Sequence, residues 1–214
     1  MAHPPNGDGG SPILLEARAL ACERGDRLLF ANLNFSLAAH ALLQVEGQNG
    51  AGKTSLLRIL CGLALPSAGS VCWRGQALGV RREEFLSELA YLGHHHGVKG
   101  ALTPEENLAV ARGLAHPALA IAEALRTVGL LPYHDHPCQE LSAGQRRRVA
   151  LARLLTVRAT LWILDEPFTS LDRAGVRMVE MLLQAHLAAG GAAVVVTHQP
   201  IQLDGIVQRL SLDA

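Results

Sequence analysis

Nowhere does this chain approach the roughly 18 consecutive apolar residues that a membrane-spanning helix needs, which excludes a transmembrane helix. The opening MAHPPNGDGGSP has no charged segment followed by an apolar one, so it lacks a secretory-signal pattern. Residues 1–12 read instead as a disordered tail on a soluble, cytosolic chain. Neither sign of charge is in excess, since 19 Lys and Arg balance 19 Asp and Glu. A polyanion such as nucleic acid therefore finds no electrostatic footprint. The four cysteines, Cys22, Cys61, Cys72 and Cys138, are scattered without a CxxC pair. That excludes a disulfide framework and a thiolate metal site, and leaves reduced core or surface residues. Internal repeats are absent, and so is low complexity beyond the tail. What is there is 214 residues, 49% of them hydrophobic, enough for a single domain with a sizeable core over residues 13–214.

Within that domain, GQNGAGKTS at Gly47 to Ser55 fits the phosphate-loop pattern G-x-x-x-x-G-K-[ST], with Gly47, Gly52, Lys53 and Thr54 in register. Gly50 and Gly52, with Asn49 between Gly47 and Gly50, let the backbone turn so that its N–H groups point inward. A helix from Thr54 to about Cys61 adds its positive end. Lys53 is placed to reach the β- and γ-phosphates, and the hydroxyl of Thr54 or Ser55 to ligate Mg²⁺. The preceding ALLQVE reads as the strand that this motif requires. The bland alternative is a Gly-rich turn before an ordinary amphipathic helix.

A second anion site is written at Leu141 to Leu155, LSAGQRRRVALARLL. Ser142 and Gln145 have capping-box spacing, so a helix is expected to start there and run through the arginines. Gly144 in its first turn leaves backbone donors uncovered, although the residues alone do not say for which anion. A capped surface helix explains the same spacing, and Arg146, Arg147 and Arg148 read as its solvated basic face.

Further on, TLWILDEP at Thr160 to Pro167 reads as a buried parallel strand with Asp165 and Glu166 at its carboxyl end. Asp165 is placed to hold Mg²⁺, directly or through water, and Glu166 to orient or deprotonate the attacking water. A buried structural acid pair is the alternative. FTSLD follows, with Asp172 in a turn, and then a second apolar strand, AAVVVTH, ends at His198. Ligands sit at the carboxyl ends of strands in open parallel sheets, which points His198 at the same phosphate.

The surrounding organisation is β-rich to about Gly79, helical in the middle, and α/β again from about Thr160. TPEENL predicts a helix capped by Thr103, with Pro104 first and Glu106 closing the box. A second helix is expected from Pro117 through Leu125. No appended C-terminal domain is expected.

Taken in order, GQNGAGKTS, LSAGQ, LWILDEP, SLD and VVVTH resemble the ABC-type ATPases, over a span from about Leu14 to His198. The resemblance implies an α/β fold: a P-loop mixed-sheet core, an N-terminal antiparallel β part, and a helical insertion at about 96–158 that faces a membrane partner. It further implies a head-to-tail homodimer on ATP binding. Each ATP is then sandwiched between the phosphate loop of one subunit and the LSAGQ helix start of the other. The family roles carry over to Lys53, Thr54, Ser142, Gly144, Gln145, Asp165, Glu166, Asp172 and His198.

Three positions depart from the general pattern. The residue that stacks on adenine falls near Arg24, whose guanidinium can replace an aromatic ring. Ala143 stands where a glycine is common. His95, in YLGHHHGVK, stands where the family carries a glutamine that helps hold Mg²⁺ and the attacking water. Mg²⁺ prefers oxygen ligands, so slower hydrolysis or a pH dependence in the His range is expected. His94, His95 and His96 read alternatively as a transition-metal or haem-iron cluster, although three consecutive loop side chains seldom converge on one ion. LSAGQ, the Gly93–His94 pair, FTSLD and the compact length resemble the ATP-binding subunit of the cytochrome c maturation haem-export system. That resemblance implies a small polytopic membrane partner, a peripheral place on the cytoplasmic face of the bacterial inner membrane, and no haem bound by this chain. An ABC ATPase for another cargo and a soluble ABC-type switch are the rival readings.

Overall fold

A computed structural model describes residues 11–95, 97–113 and 116–212, so the first ten residues of the expected tail and His96 lie outside the described residues. The chain opens with two long strands, β1 (Ile13–Arg24) and β2 (Arg27–Ala38), paired antiparallel around a turn at Gly25. After β3 (Ala41–Glu46) and α1 (Lys53–Leu60), β4 (Ala68–Trp73) returns antiparallel to β1, and the short β5 (Gln76–Ala77) completes that sheet.

The second sheet is parallel. After α2 (Arg82–Ser87), its remaining strands are β6 (Leu89–Leu92), β7 (Leu161–Asp165), β8 (Ala192–Val196) and β9 (Ile206–Ser211). They run in the order β6-β7-β8-β3-β9, so parallel and antiparallel pairing are divided between two sheets. β7 and β8 are buried along their whole length, which their uninterrupted apolar sequences LWIL and AAVVV require of central parallel strands. On one face, Leu43, Ile163 and Val194 pack against Leu56, Leu57 and Leu60 of α1 and against Trp73 of β4. On the other, Leu42, Leu164 and Val195 meet Leu151 and Leu154 of α5 (Ala143–Thr156) and Val179 and Leu183 of α6 (Arg173–Ala188).

Between β6 and β7 lie α3 (Pro104–Gly113), α4 (Ile121–Thr127) and α5, sharing a core of Leu108, Leu125, Val128 and Val149. The α3 capping box forms as expected: Thr103 N–H donates to Glu106 Oε2 at 2.9 Å, and Glu106 N–H to Thr103 Oγ1 at 3.2 Å. α4 starts later than Pro117. Pro117 forms a bridge with Val157, and the N–H groups of Ala118 and Leu119 donate to Thr156 and Leu155 carbonyls, so this segment is extended until Ala120. All four cysteines are free and buried, and burial pushes the Cys61 thiol up to about 12. Among the described residues no helix is long and apolar enough to cross a membrane.

Candidate nucleotide site

Because β7, β8 and β3 are parallel neighbours, their carboxyl ends deliver three functional segments to one edge of the sheet. From β3 the chain enters the loop at Gly47 and turns into α1 through Gly52, whose φ of +99° is the left-handed region. A Cβ there would lie 3.0 Å from Leu29 Cβ and 3.2 Å from the Phe30 ring, so glycine is required twice over. The loop lines a cavity of about 320 Å³ together with Arg24, Leu29, Gln48, Asn49, Gly50, Lys53, Thr54 and Ser55. Arg24 thus lies beside the phosphate loop. Leu29 and Gln48 were not singled out by the motif.

Lys53 is the centre of this edge. Its ammonium donates to the carbonyls of Gly47 and Gln48, the latter at 3.0 Å, and lies 3.4 Å from His198 Nε2. The same imidazole nitrogen is 3.6 Å from Glu166 Oε1. Thr54 Oγ1 donates to Asp165 Oδ2 at 3.3 Å, which joins the loop to the strand carrying the two acids. Burial raises the Asp165 carboxyl above its ordinary value, against the opposing effects of the Thr54 hydroxyl and the charges of His94, Arg147 and Lys53. Glu166 is also raised, first by burial, with His198 opposing and Asp165 reinforcing. A carboxylate lifted in this way is a better proton acceptor than a solvated one.

His94 and His95 are both exposed, with rings in an edge contact at 5.6 Å. Among the described residues no grouping of three or more His, Cys, Asp or Glu side chains is arranged to hold a metal ion.

The LSAGQ segment forms its capping box: Gln145 N–H donates to Ser142 Oγ at 3.2 Å, and Ser142 N–H to Gln145 Oε1 at 2.8 Å. Ser142, Ala143, Gly144 and Gln145 line a second cavity of about 610 Å³, shared with Gly129, Arg148, Ser170, Leu171 and Asp172. None of these residues lines the phosphate-loop cavity. A single chain does not bring its own LSAGQ start to its own Lys53. Asp172 caps α6 by accepting from Gly175 N–H at 2.7 Å and also accepts from Arg148 Nη2 at 3.2 Å. The Gly175 N–H in particular holds its carboxyl below the usual range.

The three arginines after LSAGQ are not a solvated face. Arg147 is 1% exposed, and its guanidinium donates to the backbone carbonyls of Asp165 at 2.8 Å, Glu166, and Pro167 at 3.2 Å. Arg146 turns back to the Leu141 carbonyl, and Arg148 to the Val128 carbonyl and Asp172. The clue in the sequence was position: Arg147 falls on the stripe of Leu151 and Leu154, four and seven residues on. Gln44 is the other residue that motif reading passed over. Buried in β3 at 1% exposure, it donates from Nε2 to the Gln199 carbonyl at 3.1 Å, one residue beyond His198. A single amide inside the apolar ALLQVE strand was its visible signal.

Comparison with known proteins agrees with this geometry. Residues 30–169 match the family model described as ABC transporter. The chain is 49% identical over 207 residues to the cytochrome c biogenesis ATP-binding export protein CcmA of Hahella chejuensis, covering 96% of this chain and 98% of that one. Its identity to the Pseudomonas syringae pv. tomato protein of the same name is 52% over 193 residues, 89% of this chain and 91% of the relative. For the Escherichia coli protein it is 47% over 200 residues, 93% and 96%. Among solved structures, an ATP-binding subunit of an ABC transporter superposes with a TM-score of 0.76 at 25% identity, covering 86% of this chain and 79% of that chain. A second, a putative ABC transporter ATP-binding protein from Pyrococcus furiosus at 23% identity, shares the fold with a TM-score of 0.79 over 92% and 96%. With an ABC model spanning most of its length and near-complete relatives at about half identity, the chain belongs to the ABC transporter ATP-binding family and, within it, to the cytochrome c biogenesis ATP-binding export proteins.

Proposed function

We propose that two copies of this chain, head to tail, close on two ATP molecules and hydrolyse them to drive an export complex for c-type cytochrome biogenesis. The observation that carries this reading is the separation of the two cavities. Lys53, Thr54, Asp165, Glu166 and His198 gather at one sheet edge, whereas Ser142 to Gln145 open onto another cavity, so each half needs a complement from a second chain.

In this mechanism, the N–H groups of Gly50 to Thr54 and the start of α1 cradle the β- and γ-phosphates, and Lys53 exchanges its carbonyl partners for phosphate oxygens. Thr54 Oγ1 and Asp165 Oδ2, already adjacent, are the hard oxygen donors that fit Mg²⁺, with His95 as a further contact; the ion would neutralise charge on the phosphates. Glu166 accepts the proton of the attacking water, its raised carboxyl suiting it to that role. His198, within 3.6 Å of Glu166 and 3.4 Å of Lys53, holds the γ-phosphate oxygens as their charge shifts. The partner's Ser142, Gly144 and Gln145 close the other side. Arg24 stacks on the base.

The names of the relatives support cytochrome c biogenesis as the process. We place the chain on the cytoplasmic face of the inner membrane, docked on a small polytopic subunit, with hydrolysis serving haem export or release of the haem-loaded chaperone. The test is the Glu166→Gln variant. Turnover is expected to fall about 10²-fold or more with ATP retained, the scale of a positioned general base. ATP-trapped Glu166→Gln protein, tagged and recovered from membranes, is expected to carry a multi-span subunit and cytochrome c maturation proteins. Recovery with an unrelated binding protein would reassign the cargo, and unchanged turnover would remove Glu166 from the chemistry.

A further inference from the structure

We propose that Arg147 is a positioning residue that links the two ATP sites. Nucleotide held on the LSAGQ start of one chain would set, through Arg147, the backbone that carries Asp165 and Glu166 in that same chain. This rests on the two-chain reading above.

The argument begins from the path of α5. Its first turn, Ser142 to Gln145, faces the cavity that would receive the other chain's nucleotide. Arg147 lies five residues beyond the Ser142 cap, about 7 Å along the axis at 1.5 Å per residue. There its guanidinium holds the backbone carbonyls of Asp165, Glu166 and Pro167, in the chain's own catalytic segment. One rigid helix therefore touches both sites, one at its tip and one at its second turn.

The second observation is the strain in what Arg147 holds. Glu166 has a φ of +50°, a left-handed backbone that a non-glycine residue adopts at a cost. Such conformations persist only where surrounding contacts over-determine them. Here the contacts are the Arg147 fork on the carbonyl side and the Glu166 N–H donating to the Val196 carbonyl of β8 at 2.9 Å. The fork comes from α5, so a shift of α5 shifts the orientation of the Glu166 side chain.

A third contact makes the linkage stiff. A Cβ on Gly144 would lie 2.8 Å from the Ser170 carbonyl, so the helix start rests directly on the loop between Glu166 and Asp172. Ser170 is itself left-handed, with φ of +66°. Burial pulls the Arg147 guanidinium down to about 10, while Asp165 and Glu166 oppose that pull; it remains charged at neutral pH. Charged donors to carbonyls are the stronger kind of hydrogen bond, which suits a tie that must transmit movement.

The experiment compares Arg147→Lys and Arg147→Met in the full-length chain. ATP-driven dimerisation is first measured by light scattering in the Glu166→Gln background, with and without each Arg147 change. Steady-state ATPase with Glu166 intact then gives kcat, KM and the Hill coefficient. For Arg147→Met, the dimer is expected to form, KM to stay within about threefold, and kcat to fall about tenfold or more, the scale of a misplaced reacting group. The Hill coefficient is expected to drop towards one. Arg147→Lys keeps the charge but not the planar fork. It is expected to fold as the parent does, recover part of kcat and remain less cooperative, which keeps the proposal testable if the Met variant does not fold. Parent-like kcat and Hill coefficient in Arg147→Lys, or in a folded Arg147→Met, would overturn the linkage alone. If Glu166→Gln with Arg147 intact does not dimerise on ATP, the two-chain reading fails, and this proposal with it.

Discussion

Replacing Gly144 by Ala sets two opposite effects on the same methyl group. In helix propensity alone, Ala is better than Gly by up to ~1 kcal/mol, so a free α5 start would be stabilised. In this fold the new Cβ would stand 2.8 Å from the Ser170 carbonyl, closer than a Cβ and a backbone oxygen tolerate. Relieving that overlap means moving the helix start or the Ser170 loop, and overpacking of this kind costs ~1–3 kcal/mol. The net effect on folding is then between about zero and 2 kcal/mol, a loss of at most roughly 8 °C in Tm for a chain of this size. Function is expected to suffer more than folding. On the two-chain proposal the shift falls on the backbone donors offered to the partner's phosphates, and loss of one well-placed donor typically costs ~10²-fold or more in turnover. The assay is steady-state ATP hydrolysis beside thermal melting of the full chain, with Ala143→Gly as control, because Ala143 is exposed. A Gly144→Ala variant that melts higher than the parent and keeps its turnover would refute the reasoning: the Ser170 contact would not constrain the helix start.

Two other expectations follow from single residues. Changing His95→Gln supplies an amide oxygen in place of an imidazole, and turnover measured by phosphate release is expected to rise several-fold; no change would take His95 out of the site. His186 bears on stability rather than catalysis. Its ring stacks on Trp162 at 4.1 Å, and burial lowers it from 6.5 to about 4. Because the folded value is depressed, the neutral ring contributes fully above pH 6.5, and that contribution is lost as pH falls towards 4. The loss is expected to reach up to about 3 kcal/mol at 1.36 kcal/mol per unit, discounted for partial exposure. Urea midpoints at pH 7, 5 and 4 for the parent and His186→Phe check this, and parallel pH dependence in the two would contradict it.

The parts of the site that could be read from sequence are those whose cause is local. The capping boxes at Thr103–Glu106 and Ser142–Gln145 need only a spacing of three residues, and both form. The loop from Gly47 to Thr54 needs glycine where φ is positive, and Gly50 and Gly52 have it. Strands β7 and β8 announce themselves by unbroken apolar runs. What escaped depends on partners distant in sequence. Arg147 looked like one of three equivalent arginines until the β7 end was packed against it. Pro117 looked like a helix start because nothing nearby reveals that Val157 will pair with it. The short β6 was hidden in a region read as helical, since its pairing with β7 across the helical insertion is what makes it a strand.

Gln44 gives β3 a second duty. The strand presents the phosphate loop at its carboxyl end, and from its interior the Gln44 amide also tethers the carbonyl of Gln199, next to His198. Lys53 and His198, far apart along the chain, are thus both tied to β3, one through the loop that follows it and the other through the tethered Gln199 beside it, and stand 3.4 Å apart. A substitution at Gln44, outside every recognised nucleotide motif, is therefore expected to cut this tether and change the spacing of Lys53 and His198 while leaving both residues intact.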